Sequence, residues 1–106
     1  MIRIKQIIVL AEAVTDIEAA KVFYENQGCD LGAYFVDSIL SDIDSLVITA
    51  GVHERHFGFY RTLSKHFPFA VYYDIADEIA IVVAVLDMRI QPGTIQKRIN
   101  NRDRRV

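Results

Sequence analysis

The spacing of apolar residues along the chain predicts one strand followed by two helices. The segment Ile2 to Leu10 is rich in isoleucine and valine, which is typical of a strand. Two later segments place apolar residues three or four positions apart, the spacing that lines one face of a helix. These positions are Ile17, Ala20, Phe23 and Tyr24 in the first segment, and Leu31, Phe35, Ile39, Ile43 and Leu46 in the second.

Polar residues and glycines indicate where the two helices begin and end. Thr15-Asp16-Ile17-Glu18 has the pattern of a capping box and predicts the start of the first helix. Gly28 can end that helix in the left-handed conformation, Asp30 can cap the second helix, and Gly51 can end it. The short link between the helices predicts an antiparallel helical hairpin.

The rest of the chain predicts a three-stranded antiparallel meander and therefore an α+β fold. After a loop at 52–58, we expect strands at Tyr60–Ser64, Phe67–Ile75 and Ile79–Arg89, with a tight reversal at Ala76-Asp77 between the last two. The last strand is apolar at almost every position, so it belongs in the middle of a sheet that is covered on both faces. The N-terminal strand can join this sheet at either edge.

Two-residue turns fix a register for the meander. Arg61 is then opposite Ala70, and Ala70 is opposite Val83. A one-residue error in either turn would exchange the faces for part of the sheet. In this register one face holds Arg61, Tyr72, Asp87 and Arg89, and the other holds Phe69, Val71, Tyr73, Val82, Ala84 and Leu86.

The second face of the sheet needs a cover, and the sequence leaves two candidates open. One is the C-terminal segment Thr94 to Ile99, folded back as a short helix. The other is an amphipathic segment of a second polypeptide, whose acidic residues would meet Arg61 and Arg89.

Composition predicts a single domain that spans residues 1–106 and lies in the cytoplasm. A chain of 106 residues with 52% hydrophobic content is the size of one globular domain. Its longest apolar run, Ile79 to Leu86, is far shorter than the roughly 20 residues of a membrane span, so no membrane association is expected. The single cysteine, Cys29, cannot form an internal disulfide, which agrees with a reducing compartment.

Charge is distributed unevenly, with an acidic body and a basic end. Residues 97–106, "KRINNRDRRV", hold five bases and one acid, whereas residues 1–96 hold seven bases and thirteen acids. Chain ends are commonly frayed, so residues 100–106 are expected to form a flexible tail whose deletion leaves stability nearly unchanged. The acidic body is poorly suited to a nucleic-acid surface.

Three histidines are the obvious metal-binding candidates, and we expect no metal site. His53 and His56 are close enough to share a zinc ion, but a zinc site generally needs a third protein ligand, and none is recognisably placed. His66 lies in the turn before Phe67, where exposure is the default. No cofactor is expected either.

Three stretches of the chain resemble the RelE/ParE family of bacterial type II toxins. They are "DIEAAKVFYENQGCDLGAYF", "YRTLSKHFPFAVYYDIADEIAIVVAVLDMR" and the proline of "QPGTI". Together with the order of elements, the similarity covers about residues 9–99. The resemblance implies a small α+β toxin that is neutralised by a cognate antitoxin, with which it can form a hetero-oligomer. On this basis the antitoxin-binding residues would be Arg61, Tyr72, Asp87 and Arg89.

The resemblance implies two possible targets. RelE-like members are ribosome-dependent mRNA endoribonucleases, and in that case Arg61, Arg89 and Tyr72 would be catalytic. That chemistry needs a proton acceptor, a proton donor and cations that hold the phosphate. The family often has histidine at the position of Asp87 and arginine at that of Ile90, so this chain departs from the catalytic pattern.

ParE-like members instead act by binding DNA gyrase, without bond-breaking chemistry. The long second helix and the charged C-terminal extension favour this branch, so the sequence points to a non-catalytic toxin. A family member that has lost toxicity and acts as a protein-binding module is the remaining alternative.

Overall fold

The computed structural model describes residues 3–102, which form one mixed sheet with helices on both faces. The predicted α+β class is confirmed, and the predicted strands and helices are present with shifted bounds. The elements are β1 (Gln6–Val9), α1 (Ala11–Glu25), α2 (Leu31–Asp44), α3 (Leu46–Thr49), β2 (Arg55–His56), β3 (Phe59–Leu63), β4 (Phe69–Ala76), β5 (Ile79–Asp87) and α4 (Pro92–Asn100).

The sheet has the strand order β1-β5-β4-β3-β2. β1 runs parallel to β5, and the other neighbours are antiparallel. β5 is buried from Ala80 to Leu86 and has a paired strand on each side, as its continuous apolar sequence predicts. The short strand β2 lies within the segment 52–58, which the sequence predicted to be a loop.

The predicted register of the sheet is wrong. The reversal is one residue later than predicted, so Ala76 pairs with Ile79, and a bulge next to Tyr72 and Tyr73 adds a further residue to β5. Ala70 therefore pairs with Leu86 rather than Val83, and Arg61 pairs with Tyr72 rather than Ala70. Because a bulge shifts one strand by a single residue, every side chain of β5 beyond it changes face.

The two faces of the sheet carry separate apolar cores. The face toward the helical hairpin holds Phe69, Val71, Tyr73, Ala80, Val82 and Val85. The opposite face holds Ala70, Tyr72, Ile81, Val83, Ala84 and Leu86. Ala84 and Leu86 thus lie on the face opposite to the one predicted, while the assignments of Phe69, Val71, Tyr73 and Val82 to one face are correct.

The helical hairpin formed by α1 and α2 covers the first face. The predicted inward stripe is confirmed, since Phe35, Ile39, Ile43 and Leu46 are all buried and Leu31 is half-buried. The Phe35 ring packs against Tyr24, Phe67 and Phe69, with ring centroids 4.9 to 5.1 Å apart. This aromatic cluster joins both helices to β4.

Two of the predicted helix boundaries are wrong. α1 begins at Ala11, and the hydroxyl of Thr15 donates to the Ala11 carbonyl within the helix instead of capping its start. Gly28 does not take a left-handed conformation; Asp30 does, with φ 62°, and its side chain makes no capping hydrogen bond. A third boundary is also wrong, because the second helix, which Gly51 was predicted to end, stops at Asp44, and Gly51, with φ 92°, follows the separate short helix α3.

The helix α4 covers the second face of the sheet. Ile95 and Ile99 of α4 are buried against the core of that face. Of the two covers that the sequence left open, the structure has the one supplied by the chain itself. None of the helices within residues 3–102 is long and apolar enough to cross a membrane.

The predicted flexible tail at 100–106 is wrong for its first residues, and 103–106 lie outside the described residues. Asn100 is the last residue of α4, and the Arg102 guanidinium is bound to Asp16 of α1. Arg102 also donates to the Val83 carbonyl, and the Val85 N–H donates to Asp16. This pair covers the edge of β5 just beyond the end of β1, where backbone groups would otherwise lack partners.

Candidate functional site

Two of the predicted site residues, Arg61 and Tyr72, are neighbours on the face covered by α4. They are paired across β3 and β4. The Tyr72 side chain is fully buried, and its hydroxyl contacts the Met88 sulfur at 3.9 Å. Burial raises the pKa of Tyr72 above its ordinary value, and the interaction with Arg61 only partly opposes this rise. Tyr72 is therefore protonated at neutral pH and is poorly suited to accept a proton from a substrate.

The other two predicted site residues, Asp87 and Arg89, form an ion pair with each other. The Arg89 Nε and Nη2 atoms donate to the Asp87 carboxylate at 2.9 and 2.7 Å, and the Arg89 backbone N–H donates at 2.8 Å. These hydrogen bonds from Arg89 lower the pKa of Asp87, although burial opposes them. Asp87 and Arg89 therefore neutralise each other's charge.

The four predicted site residues do not share one surface. Asp87 pairs with Phe69 across the sheet and lies on the face toward the helical hairpin, where Arg89 interacts with Tyr24. Arg61 and Tyr72 lie on the opposite face, so the prediction that all four converge is wrong. The cause is the bulge in β5, which turns Asp87 away from Tyr72. The two arginines cannot close on one phosphate in this arrangement.

His53 and His56, which are close in the sequence, make different contacts in the structure. His53 Nδ1 lies 2.5 Å from the buried Tyr73 hydroxyl, and the Gly51 N–H donates to that same hydroxyl at 3.0 Å. The Tyr73 hydroxyl therefore has two partners, the Gly51 N–H and the His53 ring. Residues 3–102 contain no group of three or more histidine, cysteine or acidic side chains that could hold a metal ion. His66 is exposed, as predicted.

The partial burial of His53 predicts a pH dependence of stability. Burial lowers the pKa of His53 below its ordinary 6.5, so the unfolded chain binds a proton more readily than the folded one. The contribution of His53 is therefore complete above about pH 6.5 and is lost as the pH falls through the folded-state pKa. Urea unfolding across this range should show wild-type stability falling more steeply than that of His53→Gln. The exposed His66→Gln is the matched control and should keep the wild-type slope.

A cleft between α1 and α2 forms an open apolar depression. Its volume is about 470 Å³, and it reaches Val9 at the end of β1. Val14 and Leu40 line it with 40% and 45% of their surfaces exposed. We call it the hairpin cleft. Its lining residues are Val9, Val14, Ile17, Ala33, Val36 and Leu40, with Glu18, Lys21 and Asp37 as its charged residues.

The sequence interpretation missed the hairpin cleft because it considered only the inward stripe of α2. A second apolar row, Ala33, Val36 and Leu40, follows the same helical spacing one position away from that stripe. A row of this kind widens the apolar face beyond what the sheet alone can cover. The spacing of apolar residues along α2 therefore contained the signal for the hairpin cleft.

A comparison with solved structures finds this fold in a chain of the chromosomal ParDE TA system from P. aeruginosa. The TM-score is 0.71 over 81% of this chain and 97% of that chain, at 13% sequence identity. No protein-family model and no curated protein matches the sequence. The likeness therefore rests on the three-dimensional arrangement of the strands and helices. The protein has the α+β fold of the ParE/RelE toxins, as the sequence resemblance implied.

Proposed function

We propose that the protein is the toxin of a type II toxin–antitoxin module, that it acts by binding DNA gyrase without chemistry of its own, and that a cognate antitoxin neutralises it. The observation that carries this proposal is the likeness of the fold to a chain of a ParDE toxin–antitoxin structure. The sequence resemblance to the same toxin family supports it independently.

The arrangement of the charged side chains favours a non-catalytic toxin over a ribonuclease. RNA cleavage needs a proton acceptor and converging cations at one phosphate. Here Arg61 and Arg89 lie on opposite faces, Arg89 is held by Asp87, and burial keeps Tyr72 protonated. A protein that acts through binding needs none of these groups to converge.

The hairpin cleft is the surface that we propose for the antitoxin. Because α4 covers the second face of the sheet, an antitoxin segment does not find a bare sheet face there. The cleft is apolar and open, and it adjoins β1, which has no strand on its outer side within residues 3–102. An antitoxin segment with apolar side chains at helical spacing fits such a cleft. Arg61 and Arg89 stay proposed contacts for acidic antitoxin residues outside it.

One experiment tests both parts of the proposal. The purified chain should inhibit supercoiling by DNA gyrase, and the protein of the adjacent reading frame, co-expressed and purified, should restore it. Val14→Asp places a charge in the hairpin cleft, and this variant should still inhibit gyrase. Its rescue should need an antitoxin concentration at least about tenfold higher, since an unpaired buried charge opposes binding. Val52→Asp, at an exposed valine outside the cleft, is the matched control and should be rescued normally.

Three outcomes would contradict the proposal. Normal supercoiling at saturating protein would remove gyrase as the target. Cleavage of mRNA in a translating extract that disappears in Arg61→Ala would establish the ribonuclease alternative instead. Equal rescue of Val14→Asp and Val52→Asp would place the antitoxin elsewhere. The melting midpoint of each variant shows whether it is folded.

A further inference from the structure

A second depression lies between α2 and the loop that joins β3 to β4. Its volume is about 210 Å³, and α2 contributes most of its lining. The α2 residues there are Asp37, Ser38, Ser41 and Asp42, which share one side of the helix because they are spaced one turn apart. We call it the Asp42 pocket. Asp37 also lines the hairpin cleft and so lies on the ridge between the two depressions.

One oxygen of the Asp42 carboxylate has no hydrogen-bond partner within residues 3–102. Asp42 is 5% exposed, and its Oδ2 atom is buried without a hydrogen bond. Buried carboxylates are normally paired with a cation or with several donors, because removing the charge from water is costly. Because Asp42 lines an open pocket, its unpaired carboxylate oxygen indicates a donor that the pocket receives.

The remaining polar groups of the pocket are suited to a cationic donor. Ser38, which is 7% exposed, and Ser41 offer hydroxyl oxygens, and Asp37 offers a second carboxylate. The Tyr34 ring at the margin can lie against a planar cation. These groups supply several acceptors at different positions, which a guanidinium with its five N–H donors in a fixed plane can satisfy together.

We propose that the Asp42 pocket binds a guanidinium group, with Asp42 as its principal acceptor. A divalent metal is a weaker occupant, because residues 3–102 contain no group of three metal-binding side chains. The cations already in the pocket, Lys65 and His66, are exposed, and the structure has no ion pair between Lys65 and Asp42. Lys65 and His66 therefore form the rim of the pocket, and the Asp42 carboxylate is available to the guanidinium group.

Two sources can supply this chemistry, an arginine side chain of a partner protein or a free guanidinium compound. The probes are therefore N-acetyl-arginine amide, which presents an arginine side chain with blocked backbone ends, and methylguanidinium, which presents the cation alone. If the natural ligand is an arginine side chain of a partner protein, the pocket should bind N-acetyl-arginine amide more tightly than methylguanidinium. A pocket that serves a small molecule should bind both equally. Either result supports the inference, because both probes carry the proposed group.

The test is a titration of the purified chain with each probe, followed by the amide chemical shifts of α2. Saturable shifts are expected around Ser38 and Asp42. Asp42→Asn should weaken binding by at least about tenfold, since it removes the charge of the principal acceptor. Asp37→Asn, at an exposed position, should weaken it by a smaller factor. Asp44→Asn is the matched control: it removes the same charge from the exposed end of α2 and should leave binding unchanged.

Three results would overturn the inference. The first is the absence of saturable shifts with both probes, which would mean that a water molecule alone satisfies Asp42. The second is equal binding by wild type and Asp42→Asn. The third is binding that appears only in Lys65→Gln, which would show that the Lys65 ammonium occupies the site in solution. None of these results depends on toxicity or on an antitoxin, so they are independent of the proposed function.

Discussion

Replacing Asp16 with alanine is expected to lower the free energy of unfolding by about 3–5 kcal/mol, the range for removing one partner of a buried ion pair. The Asp16 carboxylate accepts from the Arg102 guanidinium and from the Val85 N–H. The two side chains are only 12% and 11% exposed. Alanine would therefore leave the Val85 N–H without its acceptor, and it would leave a largely buried cation with only the Val83 carbonyl and the Glu12 carboxylate at 3.9 Å. Urea unfolding measures the loss.

Three further variants test the origin of this loss. Glu18→Ala removes an exposed carboxylate from the same helix and should stay within about 0.5 kcal/mol of wild type. Arg102→Met in the Asp16→Ala background should recover part of the stability, because it removes a largely buried cation that has lost its main partner. A chain that ends at Asn101 should also be destabilised. Wild-type stability in both Asp16→Ala and the shortened chain would show that Arg102 does not dock.

Replacing Phe69 or Leu86 with alanine is expected to lower the free energy of unfolding by roughly 3–5 and 2–5 kcal/mol, respectively. Both side chains are buried, as the sequence predicted, but on opposite faces of the sheet. The two cavities should therefore loosen different helices. Leu86→Ala should raise amide hydrogen exchange in α4, whereas Phe69→Ala should raise it in α1 and α2.

The exposed Leu63 of β3 supplies the control for this pair. Leu63→Ala removes the same atoms as Leu86→Ala from a side chain that is 57% exposed, and it should change stability by no more than about 0.5 kcal/mol. Raised exchange in α4 for Phe69→Ala, with none for Leu86→Ala, would mean that the faces are assigned the wrong way round. An unchanged stability in both variants would show that neither side chain is buried.

The sequence is sufficient to predict the elements that have a strong internal period. The stripe from Phe35 to Ile43 predicts the buried face of α2, and the continuous apolar run of β5 predicts its central place in the sheet. Both follow from burial, which depends on side-chain type at each position. The family resemblance predicts the α+β fold of the ParE/RelE toxins, and the structure has it.

Features that depend on single-residue offsets or on distant contacts could not be predicted in this way. The bulge in β5 falls within a run of valine and alanine, where no residue type distinguishes the extra position. Its effect is large, because it separates Asp87 and Arg89 from Arg61 and Tyr72. The capping-box pattern at Thr15 matches a local rule for helix starts. However, α1 follows β1 almost directly and has already begun at Ala11. Asp16 and Arg102 are 86 residues apart and lack any local signal.

The parallel pairing of β1 with β5 has a consequence for the order of folding. Residues Gln6 to Val9 of β1 pair with Ile79 to Val82 of β5, so β1 cannot pair until β5 has been synthesised. Contacts between such distant segments close a long loop and generally form late. A chain still emerging from the ribosome therefore has the helical hairpin but an unfinished sheet. Whatever activity the finished surface supports begins only after β5 has been synthesised.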